Sequence, residues 1–262
     1  MKIGWIISAF IIVFQTAAIA QDAPNKTDAS GKKQGHWVKY NEKHKKVYDG
    51  NFVDNIPVGK FTYFYDSGIP FGITYFSEKG TVARAKTFDV GGNITGEGKY
   101  INQKKDSIWK FYNVDGKVIS EEIYKNGLKD GKCKVYFADG SLAEEKVWKD
   151  GKANGPWKKY FQGGQLRYNG QTINDKLEGK VTFYYSNGKI DAEGEYVGDL
   201  KNGDWKNYDE EGTLKRVDKY VHGVDQNPDK NVIPKGEIEK EKKKYENTEQ
   251  QVTPVNQDEI PR

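Results

Sequence analysis

The sequence of 262 residues has a single cysteine, Cys133, and only three histidines. One cysteine cannot form a disulfide within the chain, so the small disulfide-stapled secreted folds are excluded. His36, His44 and His222 never stand four residues apart, and solvated loop positions explain them better than a metal site. The sequence therefore predicts no metal site, and Cys133 is interpreted as a buried structural thiol.

Apolar residues and excess charge are also scarce. Only 35% of the residues are hydrophobic, whereas 31% are charged, which is a lean supply for a compact core. The 42 basic and 38 acidic residues leave a net charge of only +4. A net charge this small implies no nucleic-acid partner.

A long hydrophobic run occurs only at the start of the chain. Lys2 precedes the apolar stretch 3–14, and Ala18, Ile19 and Ala20 give the small-x-small pattern of a cleavage site. This pattern predicts a signal peptide at residues 1–20 and hence an exported protein, which is periplasmic, cell-surface or secreted. The alternative, an uncleaved anchor, needs an apolar run of about 20 residues. No cysteine follows the cleavage site, so lipid attachment is not expected.

Glycine and aromatic residues are abundant, with 29 Gly, 17 Tyr, 12 Phe and 6 Trp. They recur every 24 residues without insertion or deletion from Gly35 to the repeat that begins at Gly203. The first position of the repeat is Gly in six of eight units, and the position nine residues later is Gly in seven. The position five residues after the first is always aromatic: Tyr40, Phe64, Phe88, Tyr112, Tyr136, Tyr160, Tyr184 and Tyr208.

Each unit is interpreted as a β-hairpin with a four-residue turn, such as 162–165. This register places Trp157 opposite Gly170 and Trp37 opposite Gly50, where the ring fills the space that the glycine leaves empty. Phe161 would face Leu166. Three oppositely charged pairs support the register: Lys86 with Glu97, Lys110 with Glu121, and Lys134 with Glu145.

A single hairpin is marginally stable in water, so the units are expected to stack edge to edge. The predicted fold is all-β, an elongated single-sheet solenoid of about eight stacked hairpins. The aromatic at the fifth position has the opposite parity to the tryptophans. It either lies on the reverse face or is turned round by a bulge.

The predicted organisation has four parts. The signal peptide covers residues 1–20, a polar leader 21–34, the repeat array 35–223, and a charged C-terminal tail 224–262. The tail mixes Pro, Asn, Glu and Lys with too few apolar residues to pack, so it is expected to be disordered.

The repeated phrase G-x-W-x-x-Y-aromatic-x-x-G, seen at Gly155 to Gly164, resembles the MORN repeat. It is similar to the bacterial variant of the YwqK family of toxin–antitoxin antitoxins. The resemblance covers about residues 35–223 and implies a hairpin solenoid that binds proteins or lipid headgroups and has no activity of its own. An antitoxin role fits poorly with an exported chain, for which an immunity-type role in the envelope is the better fit.

The polar residues neither repeat as a catalytic set nor converge, so no catalytic residue and no cofactor are predicted. Lys86, Lys110, Lys134, Lys158 and Lys206 share one repeat position and are interpreted as a solvated ladder partly neutralised by glutamates. The predicted function is a binding or scaffold module of the envelope with an unknown protein partner. A neutralised toxin, a glycan or cell-wall ligand and an anionic lipid headgroup are the alternatives, and a hydrolase is the least favoured. The candidate binding face comprises Trp37, Trp109, Trp157, Trp205, Tyr100, Tyr124, Trp148 and Tyr196.

Overall fold

The computed structural model describes residues 23–77 and 79–228, and all regular elements in these ranges are β-strands. The first ten are β1 (Lys26–Thr27), β2 (Lys33–Tyr40), β3 (Lys46–Val53), β4 (Ile56–Phe64), β5 (Pro70–Phe76), β6 (Val82–Phe88), β7 (Ile94–Ile101), β8 (Lys104–Tyr112), β9 (Val118–Lys125) and β10 (Leu128–Lys129). The others are β11 (Gly131–Tyr136), β12 (Leu142–Lys149), β13 (Lys152–Tyr160), β14 (Leu166–Ile173), β15 (Lys176–Leu177), β16 (Gly179–Tyr184), β17 (Ile190–Val197), β18 (Leu200–Tyr208), β19 (Leu214–Val221) and β20 (Val224–Asp225).

The strands form one antiparallel sheet in which each strand pairs with its neighbours along the chain. β10 and β11 lie beside β9, and β15 and β16 lie beside β14. The predicted all-β solenoid of stacked hairpins is confirmed. No helix within these ranges is long and apolar enough to span a membrane.

The ends of the predicted array are only partly described. β1 falls within the predicted leader and pairs with β2, and β20 falls at the start of the predicted tail and pairs with β19. The predicted signal peptide and residues 229–262 of the predicted tail lie outside the described residues.

The predicted hairpin register is confirmed at the cross-strand pairs. Trp157 lies opposite Gly170, Trp37 opposite Gly50, and the three Lys–Glu pairs occupy partner positions. The predicted four-residue turn is wrong by one residue. Tyr160, not Phe161, lies opposite Leu166, because a β-bulge precedes Tyr160 and the Phe161 N–H donates to the Gln165 carbonyl. The turn is thus a three-residue loop that ends in a left-handed residue.

The repeated glycines are explained by backbone conformation. Gly164 has φ 91°, and its N–H donates to the Phe161 carbonyl to close the turn. All seven glycines at this position have positive φ, and His44, the one exception in residue type, has φ 55°. At the first position of the repeat the six glycines also have positive φ, as does Ser107 at 62°. Glycine adopts this region without the steric cost that a Cβ imposes.

Ser107→Gly is expected to raise the free energy of unfolding by about 1 kcal/mol, because it removes a side chain from a left-handed position. Urea denaturation of the full chain measures the change, with Ser107→Ala as the matched control, since alanine keeps the Cβ. Equal effects of the two substitutions would contradict this explanation of the repeated glycine.

The sheet has two chemically different faces. We call the face that carries Trp109, Phe111 and Tyr100 the aromatic face, and the face that carries Lys110, Glu97 and their equivalents the charged face. The fifth-position aromatic lies on the charged face, since the Tyr112 hydroxyl donates to Glu97 over 2.6 Å. A bulge precedes this residue in all eight units. The fifth-position aromatic therefore lies on the face opposite to the tryptophans and also follows a bulge, so both alternatives that the sequence left open occur together.

Rings on the aromatic face pack directly onto glycine backbone. A methyl group built on Gly98 would lie 2.3 Å from the indole of Trp109, and one on Gly194 would lie 2.4 Å from that of Trp205. The ring that covers Gly50 is Phe61 and not Trp37, its partner within the hairpin. At these three glycines the ring therefore comes from the following unit, and the nearest side chain to Gly170 is Tyr168 of its own strand and not Trp157, so the sequence-based expectation is wrong at both predicted pairs. The physical reason is that the ladder is irregular at Gly50, Gly98 and Gly194, between β3 and β4, β7 and β8, and β17 and β18.

Two units without such a glycine are followed by a small residue at the ring position of the next unit, whereas Lys146, at the glycine position of a third, lies opposite Trp157. Thr74 replaces the glycine in one unit, and its partner on the next strand is Ala85. Glu122 replaces it in another, and the next unit carries Cys133 at the ring position. All four residues are at most 9% exposed. The departures from the repeat at Ala85 and Cys133 are thus matched by larger residues on the preceding strand.

Gly98→Ala is expected to lower the free energy of unfolding by about 1–3 kcal/mol, because the added methyl overlaps the Trp109 ring. Gly72→Ala is the matched control, since its methyl would meet its nearest neighbour at 3.7 Å, an ordinary contact. Its effect is expected to stay within about 0.5 kcal/mol. Urea denaturation followed by tryptophan fluorescence measures both, and equal losses would contradict the packing described.

Candidate functional site

The structure gathers most of the predicted binding residues into separate ring clusters on the aromatic face. Tyr100 contacts Trp109 with ring centroids 4.9 Å apart, and Tyr124 packs against the same cluster. Tyr196 contacts Trp205 at 5.1 Å. These contacts are edge-on, the arrangement that aromatic pairs favour. Trp157 contacts Tyr168 at 5.1 Å, and Trp37 contacts Phe52 at 6.0 Å.

Two of the predicted binding residues belong to the core. Trp109 is 1% exposed and Trp205 is 2% exposed, so neither can contact a partner directly. The prediction that these two rings form part of an exposed binding face is wrong. Each ring is covered because it sits on a glycine and is flanked by rings of neighbouring strands. The other six predicted residues are half-buried.

Lysines cover the rings on their solvent side. The Lys105 ammonium lies 4.8 Å from the centroid of Trp109, and that of Lys201 lies 4.1 Å from Trp205. Lys33 lies over Trp37 and Lys129 over Trp148 in the same way. Such cation–π contacts also place the alkyl stems of the lysines over apolar surface.

These covering lysines were not singled out by the sequence-based reasoning. They share one position of the repeat, two residues before its start, and this periodicity is the signal that could have identified them: Lys33, Lys105, Lys129 and Lys201. A further lysine, Lys146, lies 4.0 Å from the Trp157 centroid and 5.5 Å from that of Trp148. Burial lowers the pKa of Lys146 and Lys201.

In the part of the chain that the structure describes, two carboxylates are buried on the aromatic face, and both have partners. Glu122 is 8% exposed, accepts a hydrogen bond from the Tyr124 hydroxyl, and lies 2.7 Å from the Lys129 ammonium. Burial, together with the Glu122 carboxylate, raises the pKa of Tyr124. Asp218 is 3% exposed and lies 2.8 Å from the Arg216 guanidinium. Each carboxylate is therefore held by a neighbouring cation.

The charged face carries a ladder of lysines, acids and phenols. Lys86 lies 3.3 Å from Glu97, and Lys110 lies 3.4 Å from Glu121, as the sequence predicted. Hydrogen bonding from the Tyr112 hydroxyl and the Lys86 ammonium lowers the pKa of Glu97. Glu193 repeats the arrangement with the Tyr208 hydroxyl at 2.9 Å and the Lys206 ammonium at 3.1 Å.

The pairing of lysines with acids on the charged face is interrupted between Glu145 and Glu193. Glu145 lies 3.7 Å from Lys132 and not from Lys134, its predicted partner, although the two backbones are paired as expected. One unit further on, the position of the acid is taken by Asn169. A groove of about 610 Å³ lies at this interruption.

The remaining titratable candidates give no site. Cys133 is 7% exposed, and burial raises the pKa of its thiol. His44 and His222 occupy turns, whereas the His36 Nε2 lies 2.8 Å from Asp49. Within residues 23–77 and 79–228, no three His, Cys, Asp or Glu side chains are grouped so as to hold a metal ion.

Comparison with known proteins gives a family match for four segments of the chain. Segments 105–126, 129–150, 177–197 and 201–222 match the family described as the MORN repeat variant. No curated protein matches the chain in sequence. The finer likeness to the YwqK antitoxins stays a prediction.

Solved structures give only a remote likeness. A crystal structure of TarM is 17% identical over 36% of this chain and 20% of that chain, with a TM-score of 0.28. A mutant of S. aureus TarM, in complex with fondaparinux, alpha-GlcNAc-glycerol and UDP, is 16% identical over 45% of this chain and 20% of that chain, with the same TM-score. The match thus spans a fifth of either structure, and a TM-score of 0.28 does not establish a common fold. Four segments of the chain are similar to the MORN repeat variant, in a sheet built of hairpins throughout the part that the structure describes.

Proposed function

We propose that the chain is an exported, non-catalytic binding module that recognises a protein partner in the cell envelope through its aromatic face. The observation that carries this proposal is the half-burial of Trp37, Trp148 and Trp157 in a sheet with a single layer. Tryptophan is a common anchor of protein interfaces, because it buries a large rigid surface on association.

Trp148 is the most informative of these rings. It is half-buried, and the ammonium groups of Lys129 and Lys146 lie 5.0 and 5.5 Å from its centroid. Flexible lysines are displaced from a ring more readily than packed aromatic neighbours are. A partner that supplies carboxylates could pair with these lysines while an apolar group covers the indole. Trp109 and Trp205 would then support the face without touching the partner.

The residue types that recur in the repeat support a module without catalysis. The repeated residues are Gly, Trp, Tyr and Lys, which build and cover the sheet, and the two buried carboxylates are paired with cations. Export rests on the predicted signal peptide. An immunity-type role against a toxin would be a special case of protein binding in the envelope.

Trp148→Ala is expected to reduce partner recovery about tenfold in a pull-down from envelope extract, because losing a hot-spot ring costs more than about 1 kcal/mol. Quantitative mass spectrometry measures the recovery, and circular dichroism with thermal melting confirms that the variant is folded. Gly98→Ala is the control, since it loosens the core without altering the surface, and it should capture the partner normally while folded.

Two results would contradict the proposal. One is partner capture that survives the Trp148→Ala, Trp157→Ala double substitution in a folded chain. The other is turnover of peptidoglycan or glycan that a single Asp or Glu substitution abolishes.

A further inference from the structure

On the charged face, lysines and acids alternate from strand to strand in a row, and at one place in this row an acid is missing. Lys110 lies between two partner acids, Glu97 and Glu121. Lys158 occupies the equivalent position two units later, where its neighbours across the strands are Glu145 and Asn169. Four other units carry glutamate where this unit carries asparagine. Lys158 therefore has only one acidic neighbour in the row.

That one acid is already engaged. The Glu145 carboxylate lies 3.7 Å from the Lys132 ammonium and accepts a hydrogen bond of 3.3 Å from the Tyr160 hydroxyl. On the next strand pair, Asn169 lies opposite Thr182, so the row remains uncharged until Glu193. The interruption leaves Lys158 without an acid of its own, whereas Lys132 is paired with Glu145 and Lys180 lies opposite Glu195.

The groove of about 610 Å³ lies at this interruption. Three lysines and one glutamate line it, so its charge at neutral pH is positive: Lys132, Lys158, Lys180 and Glu145. Asn169 and Gln171 add amides that can donate and accept hydrogen bonds.

The spacing of the cations fits an extended chain. Lys132, Lys158 and Lys180 lie on β11, β13 and β16, so consecutive lysines are two strand spacings apart, or about 10 Å across the sheet. In the polyproline II conformation, three residues complete one turn and span about 9 Å, so every third side chain lies on the same side of the peptide. A peptide in this extended conformation with acidic side chains at every third position would present all of them to the lysines as it crosses the strands.

The uncharged lining favours a peptide over a glycan. Val147 and Pro156 are the apolar residues of the groove, and none of its lining residues is aromatic. The amides of Asn169 and Gln171 match the donors and acceptors of a peptide backbone. We propose that this groove is a second binding site, separate from the aromatic face, and that it takes an extended acidic peptide.

The test uses a fluorescein-labelled peptide of sequence Asp-Ala-Ser-Asp-Ala-Ser-Asp, with Asn replacing Asp in the control peptide. Fluorescence anisotropy with the full chain is expected to show binding of the acidic peptide that weakens with added salt, because exposed ion pairs are screened. The Asn peptide is expected to bind at least tenfold more weakly.

Asn169→Glu is the decisive variant, because it restores the acid found in four other units without introducing a residue foreign to the fold. It should keep the wild-type melting temperature and weaken peptide binding at least tenfold. Lys206→Gln, at the same repeat position as Lys158 but outside the groove, should leave binding unchanged. Trp148→Ala should also leave it unchanged, which separates this site from the proposed function.

Three results would overturn the proposal. They are binding that Asn169→Glu does not alter, equal affinity for the Asn peptide, and binding of a sulfated oligosaccharide of equal charge in place of the acidic peptide. The last would assign the groove to an anionic glycan.

Discussion

A sheet with a single layer has no second layer against which to bury its side chains, so any core must be built within one face. This chain packs three of its large rings, Phe61, Trp109 and Trp205, onto the backbone of a glycine in the preceding strand. Rings of neighbouring strands and a lysine then cover Trp109, which is left 1% exposed. Each such contact joins consecutive hairpins, so the units that it joins depend on each other, as in other repeat arrays.

The same constraint separates the two faces chemically. The aromatic face supplies burial, and its lysines, over rings such as Trp148, are the part that a partner could displace. The charged face is held by local pairs whose individual contributions are small, since most of the lysines are substantially exposed. One unit can therefore lose its acid, as at Asn169, without loss of the fold, and this freedom allows a recognition site to develop there.

Much of this architecture follows from the sequence because the backbone repeats strictly. The glycine at the turn and the one at the start of each unit mark left-handed positions, and these fix the hairpins and the pairing of Trp157 with Gly170. What lies between hairpins was not predicted. The irregular ladder beside Gly50 brings Phe61 over that glycine, and no pattern within one hairpin encodes this displacement. The burial of Trp205 depends on contacts with Phe183 and Tyr196 of the preceding unit, which no pattern within one hairpin shows. The sequence therefore suggested a binding face that includes Trp205, whereas this ring forms part of the core.

The central claim is that a residue at the glycine position and the ring of the next unit share one volume. A double-mutant cycle with Gly194→Thr and Trp205→Ala tests it, because the double variant reproduces the pair that Thr74 and Ala85 form elsewhere in the sheet. Each single substitution should lower the free energy of unfolding, and the double variant should lose at least about 1 kcal/mol less than the sum, a coupling typical of residues in contact. Losses that add to within about 0.5 kcal/mol would contradict the claim, because independent sites behave in this way.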